Sequence, residues 1–230
     1  MGQKVEFSSN GHQCQGYLAL PGDGKGPAVV VVQEWWGLVP HIEDVCDRLA
    51  ASGFLALAPD LYHGKKVSSP NDAQKLMMEL DVERANADIL GAGSYLLSRP
   101  ECSSPKFGLV GFCMGGALAQ YVATTSEEVG AVASFYGGFK KVQPRWENLR
   151  APILLIYGSS DTGVPPSGGI ELQKRLRGLG KEVEVKIYDD AGHAFFNDTR
   201  IEAYNPEAAD AAWRETIELF RQNLEGGRVG

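Results

Sequence analysis

The stretch that decides the fold is FGLVGFCMGGALAQY, Phe107 to Tyr121. An apolar run of strand type, Phe107–Phe112, gives way at Gly111-Phe112-Cys113-Met114-Gly115 to an alanine-rich helical pattern over Ala117–Thr124. Glycines two residues before and two after the central position are what a tight, strained strand-to-helix turn requires, and such a turn lifts its central side chain out of the sheet as a nucleophile. That centre is Cys113, where serine esterases carry serine. Gly116 adds room for close packing of helix on strand, and the N-terminus of the new helix favours a thiolate. The plain alternative is an inert buried cysteine.

Working outward, strands and helices alternate. Lys4–Ser9 and Gln15–Pro21 flank Asn10-Gly11 and predict an opening hairpin. Ala28–Gln33 is a β-branched run suited to a strand buried on both faces. Further strands are expected at Phe54–Ala58, Ala131–Tyr136, Ile153–Tyr157 and Val183–Tyr188. Helices are expected at Ile42–Ser52, Asp72–Leu80, Glu83–Ser98 and Ile170–Leu179, the last of these led in by Ser167-Gly168-Gly169. A final helix carries Trp213, Ile217, Phe220 and Leu224 on one face. The alternation predicts an α/β fold over residues 1–230 as one domain, with about eight strands in a mostly parallel sheet and helices on both faces. Lys65–Pro70 is polar and turn-rich, a candidate lid.

The chain has 230 residues, 43% of them hydrophobic, with 22 Lys+Arg against 29 Asp+Glu and a formal charge of −7. No basic block offsets that charge, so neither nucleic acid nor a membrane is expected as partner. The opening MGQKVEFSSNG lacks the apolar core of a signal peptide, and the four cysteines (14, 46, 102 and 113) show no CxxC or Cys/His ligand spacing. The expectation is a cytoplasmic protein with free thiols, without metal or cofactor, monomeric or a small homo-oligomer.

In open α/β sheets ligands gather at the carboxyl ends of strands. Four reactive residues fall there: Cys113, Asp161 after Ile153–Tyr157, His193 after Val183–Tyr188, and Glu34 after Ala28–Gln33. Singly, Asp161 reads as a helix cap and His193 as a loop histidine. Together, the order nucleophile, acid, histidine is that of α/β-hydrolases. Cys113 is then the nucleophile of a thioester acyl-enzyme, His193 the proton shuttle and Asp161 its orienting carboxylate. Backbone N–H groups of Met114 and Trp35 are the expected oxyanion donors. Glu34, a carboxylate at a buried strand end, either hydrogen-bonds within its own loop or touches Cys113 and tunes it. Trp36 lines a pocket or packs in the core.

These residues resemble the dienelactone hydrolase (carboxymethylenebutenolidase) family. The resemblance rests on Gln33-Glu34-Trp35-Trp36-Gly37, Pro59-Asp60-Leu61-Tyr62, Gly111-Phe112-Cys113-Met114-Gly115-Gly116, Gly158-Ser159-Ser160-Asp161 and Ala191-Gly192-His193-Ala194-Phe195. It implies hydrolysis of an enol-lactone ring by a Cys-His-Asp triad, with Glu34 holding the resting thiol until substrate displaces it. Substrate contacts are expected from Trp36, Tyr62, Tyr136, Phe195 and Asn197. The family's two carboxylate-binding arginines are not matched. Asn197 stands at one position, Ser69–Asp72 holds none, and Lys65, Lys66 and Arg200 are the nearby cations. A small-ester carboxylesterase is therefore the alternative activity. A non-catalytic binding scaffold and a thiol redox sensor are the alternatives outside hydrolysis.

Overall fold

Asn10 and Gly11 both take positive φ (43° and 82°), as a two-residue type I′ turn requires, and join β1 (Gln3–Ser9) to β2 (His12–Ala19). In the computed structural model, which describes residues 2–225, this hairpin forms one edge of an eight-stranded sheet of order β1-β2-β4-β3-β5-β6-β7-β8. The remaining strands are β3 (Gly26–Val32), β4 (Leu55–Pro59), β5 (Cys102–Phe112), β6 (Val129–Phe135), β7 (Ile153–Gly158) and β8 (Val183–Tyr188). β1/β2 and β2/β4 pair antiparallel; every other pair is parallel.

β3 shows why the sheet is covered on both sides: all seven of its residues are buried. Val29 and Val31 face a core shared with α1 (Pro40–Ala51) and α6 (Pro206–Leu224). Ala28, Val30 and Val32 face a second core with α3 (Val82–Leu97), α4 (Met114–Val122) and α5 (Pro166–Gly178). Ile217, Phe220 and Leu224 of α6 are buried as their spacing predicts, each contributing roughly 1.5–3 kcal/mol of burial. A shorter helix, α2 (Pro70–Glu79), precedes α3.

Several boundaries differ from expectation, three of them informatively. β2 begins at His12, because a two-residue turn pairs Ser9 with His12 at once. β5 reaches back to Cys102. α5 starts at Pro166, a residue preorganised for the first helical position, and so takes in Gly168 and Gly169. No helix among the described residues is long and apolar enough to cross a membrane.

Strand order reverses direction at β3, whose neighbours are β4 on one side and β5 on the other. The crevice beyond the carboxyl ends of β3 and β5 is where such a sheet places a ligand.

Candidate active site

Cys113 sits between the last residue of β5 and the first of α4 with φ 54° and ψ −115°. A non-glycine residue there carries roughly 1–3 kcal/mol of backbone strain. The neighbours hold it in place: Cys113 N–H donates to Phe135 O (3.0 Å), and Cys113 O accepts from Ala117 N and Gly138 N (3.3 Å each). Two glycines make the turn sterically feasible. A Cβ on Gly111 would stand 2.1 Å from Gly115 O, and one on Gly115 would stand 2.3 Å from Val32 O. The start of α4 therefore packs directly against the end of β3. The cysteine remains only partly buried at this apex.

The β7–α5 turn and the loop after β8 bring acid and base together. Asp161 Oδ2 lies 2.7 Å from His193 Nδ1, while Asp161 Oδ1 accepts from Gly163 N (2.9 Å) and Val164 N (2.8 Å). Both carboxylate oxygens are engaged. Burial alone would raise the Asp161 pKa, but His193 and the two N–H donors hold it below its usual value. Burial would likewise depress His193; the Asp161 hydrogen bond and the Cys113 sulfur outweigh it and push the ring up to about 10. The two turn N–H groups escaped sequence reading, although Asp161-Thr162-Gly163 is the type of segment that closes an Asx turn.

Trp35 lies in the turn after β3, followed by Gly37 at φ 94°. Among the described residues neither the Trp35 N–H nor the Met114 N–H donates to a protein acceptor. Unengaged backbone donors are what an oxyanion hole is built from.

Glu34 is 2% exposed. Val32 pairs with Gly111, so the ends of β3 and β5 lie side by side, with Glu34 two residues past the first strand and Cys113 one residue past the second. Its hydrogen bond nevertheless goes elsewhere: Glu34 Oε2 accepts from Asn197 Nδ2 at 2.9 Å, and no Glu34–Cys113 hydrogen bond forms. Burial raises the Glu34 pKa, with Asn197, His193 and Arg200 opposing it. Asn197 is itself oriented by Thr199, whose N–H and Oγ1 donate to Asn197 Oδ1 (3.1 and 2.6 Å). Thr199 had no signal in the sequence.

The remaining residues expected to meet substrate divide. Trp36 and Asn197 line a cavity of about 370 Å³ with Val39, Val67 and Arg200. The 65–70 loop supplies one wall of it and is tethered by Val67 N–H to Trp36 O (3.2 Å). Arg200 lies over the Trp36 ring at 5.3 Å and also pairs with Glu202 (3.0 Å), whereas Lys65 and Lys66 are exposed. Tyr62 is buried with its hydroxyl on Met114 Sδ (3.5 Å). Tyr136 is buried at φ 38°, with its ring 5.0 Å from that of His193 and its hydroxyl unpaired. Phe195 is fully buried against Tyr136, Tyr188 and Phe135, so it packs the site from behind. A larger cavity of about 700 Å³ opens beside Val164 and Tyr157 and touches neither Cys113 nor His193.

Residues 14–224 match the model of the Dienelactone hydrolase family. A protein of Aquifex aeolicus, named provisionally as a carboxymethylenebutenolidase, is 38% identical over 232 residues, covering 98% of this chain and 100% of that protein. An Escherichia coli protein with the same provisional name is 32% identical over 236 residues, 95% of this chain and 86% of that one. A Klebsiella pneumoniae crystal structure, described provisionally as a dienelactone hydrolase, superimposes with a TM-score of 0.85 at 30% identity, covering 96% of this chain and 99% of that one. With an eight-stranded sheet, an elbow after β5 and a match running from β2 to the end of α6, the chain belongs to the dienelactone hydrolase family.

Proposed function

We infer that the protein hydrolyses carboxylic esters or enol-lactones through a thioester on Cys113. The observation that carries this reading is the convergence on one strained turn of a partly exposed thiol, an Asp161–His193 pair at 2.7 Å and two unengaged backbone donors. His193 takes the Cys113 thiol proton as Sγ attacks the carbonyl carbon, and the C=O electron pair moves to the oxygen, where Trp35 and Met114 N–H groups receive it. Collapse breaks the C–O ester bond, and His193 delivers the proton to the leaving oxygen. His193 then takes a proton from water, whose hydroxide attacks the thioester; carboxylic acid leaves and the thiol is restored. Asp161 keeps the ring oriented and balances imidazolium charge throughout.

One observation favours small neutral esters as a second reading. The group facing Glu34 is the neutral amide of Asn197, and Arg200, the cation at the cavity, is already paired with Glu202. Comparing kcat/KM for an anionic enol-lactone and a neutral aryl acetate separates the two. Preference for the anion supports lactone hydrolysis with Arg200 recruited from Glu202, and Arg200→Ala then erodes that preference. Strong preference for the neutral ester rejects the lactone and leaves the carboxylesterase. Turnover of neither, above a Cys113→Ala background, rejects hydrolysis.

A further inference from the structure

A second group of chemistry-bearing side chains lies away from Cys113, where α3 covers the β1–β2 edge of the sheet. His12 and Cys14 stand two residues apart on β2 and so point to the same face. Asp88 of α3 meets them there, 1% exposed. Its Oδ1 is 2.9 Å from His12 Nε2 and 3.0 Å from Cys14 Sγ. Its Oδ2 makes no hydrogen bond, although it is buried and lies 3.4 Å from His63 Nε2. A buried carboxylate oxygen without a partner is costly and calls for an explanation.

His63 reaches the group from the turn after β4. It is held at φ 51° and followed by Gly64 at φ 93°. Asp60 fixes that turn by accepting from Tyr62 N (3.1 Å) and Gly64 N (2.7 Å). Three backbone segments thus converge on one carboxylate, with imidazole, thiol and imidazole around it. The donor atoms of His12, Cys14 and Asp88 all lie within 4.8 Å of one another. Bonds of about 2.0–2.3 Å to a tetrahedral zinc place donors roughly 3.3–3.8 Å apart, so small side-chain movements suffice for these three, and His63 adjoins them through Asp88 Oδ2. The His12 and His63 side chains are 31% and 33% exposed, which leaves an entry path.

We propose that His12, Cys14, His63 and Asp88 form a binding site for a thiophilic divalent cation of the zinc type, distinct from the hydrolytic site. The donor chemistry selects the class. One sulfur and two imidazole nitrogens suit zinc, cobalt(II) or nickel and disfavour calcium and magnesium, which take oxygen ligands. Cys14 gives up its thiol proton to solvent on binding. Thiolate and carboxylate then balance the dication between two neutral imidazoles, so the filled site carries no net charge. Asp88 Oδ2 gains the partner it lacks. The cation would also tie the turn bearing His63 to β2 and α3; the preceding residue, Tyr62, packs on Met114 beside the nucleophile.

Cobalt(II) titration of the full-length, chelator-treated protein tests this, with absorption as the readout. The expected result is a thiolate-to-cobalt charge-transfer band in the near ultraviolet that saturates at one equivalent and is bleached by zinc. It is lost in Cys14→Ser and kept in Cys113→Ser. His12→Ala and His63→Ala weaken cobalt binding by more than the roughly 10- to 100-fold that even an outer-shell partner contributes. The proposal fails if excess cobalt yields no thiolate band, or if the band persists in Cys14→Ser. Where Cys14→Ser loses its near-ultraviolet circular dichroism, the two histidine variants decide: unchanged cobalt affinity in both overturns the site.

Discussion

Cys113 and Cys14 stand in two constellations built from the same residue types, and the contacts within each are ordered differently. At the carboxyl end of β5 the carboxylate lies behind the histidine: Asp161 binds Nδ1 of His193 on one oxygen and two turn N–H groups on the other, leaving the far side of the ring toward Cys113. On β2 the carboxylate lies in the middle, so Asp88 touches imidazole and thiol with a single oxygen and no proton relay runs through a histidine to sulfur. The backbones differ as well. Cys113 is lifted onto a strained, partly exposed turn, whereas Cys14 is 1% exposed within a regular strand. Burial and the neighbouring Asp88 push the Cys14 thiol up to about 12, which makes it a poor nucleophile. Composition alone therefore does not distinguish the two groups; the order of contacts and the strain of the turn do.

Breaking the first constellation has the largest expected effect. Cys113→Ala should cut ester turnover by roughly ten-thousand-fold or more, measured as kcat/KM on an activated ester; a loss confined to severalfold would mean that another group attacks. Breaking the second should show in stability. Cys14→Ala removes a buried donor to Asp88 and should lower the free energy of unfolding by roughly 1–3 kcal/mol, read as a shift of the urea midpoint in metal-free protein. An unchanged midpoint would show that the thiol contributes nothing to that network.

The pH dependence sharpens the contrast further. A histidine raised from 6.5 to about 10 contributes its stability in full below 6.5 and loses it as pH rises through about 10. The stability gap between the parent protein and Asp161→Asn should therefore be widest near pH 6.5 and narrow toward about pH 10. A gap that widens with pH would contradict the protonated pair. The smallest effect is expected from Glu34→Gln, which should alter the pH profile of Cys113 modification by iodoacetamide through the loss of a buried carboxylate beside the turn. An unaltered profile would leave Glu34 as the partner of Asn197 alone.

Much of the geometry of the candidate site is legible in the sequence because each element of it is local. The Gly111/Gly115 frame, the aspartate and histidine just past their strands and the all-buried β3 are read from short windows whose period and punctuation are set by sterics. The elements that were not legible are nonlocal or depend on turn geometry. Asn197 as the hydrogen-bond partner of Glu34 spans 163 residues. The early start of α5 was hidden by Gly168-Gly169, which read as a loop, yet a side chain at Gly169 would meet Tyr157 at 2.2 Å and the helix needs its absence. The His12–Cys14–His63–Asp88 group has no ligand spacing to find, since it is assembled from β2, a turn and α3. A strand that starts at Gln15 excludes His12, whereas β2 as formed, from His12, sets His12 and Cys14 on one face. Only the tightness of the Asn10-Gly11 turn carries that information.

Mass spectrometry of the intact and digested protein, quenched after brief incubation with an activated aryl acetate, tests the central claim most directly. The expected result is one acyl adduct, located on Cys113 as a thioester, that disappears with time and is absent from Cys113→Ser at that position as a hydroxylamine-labile thioester. Acylation confined to surface lysines, with turnover retained in Cys113→Ala, would contradict it.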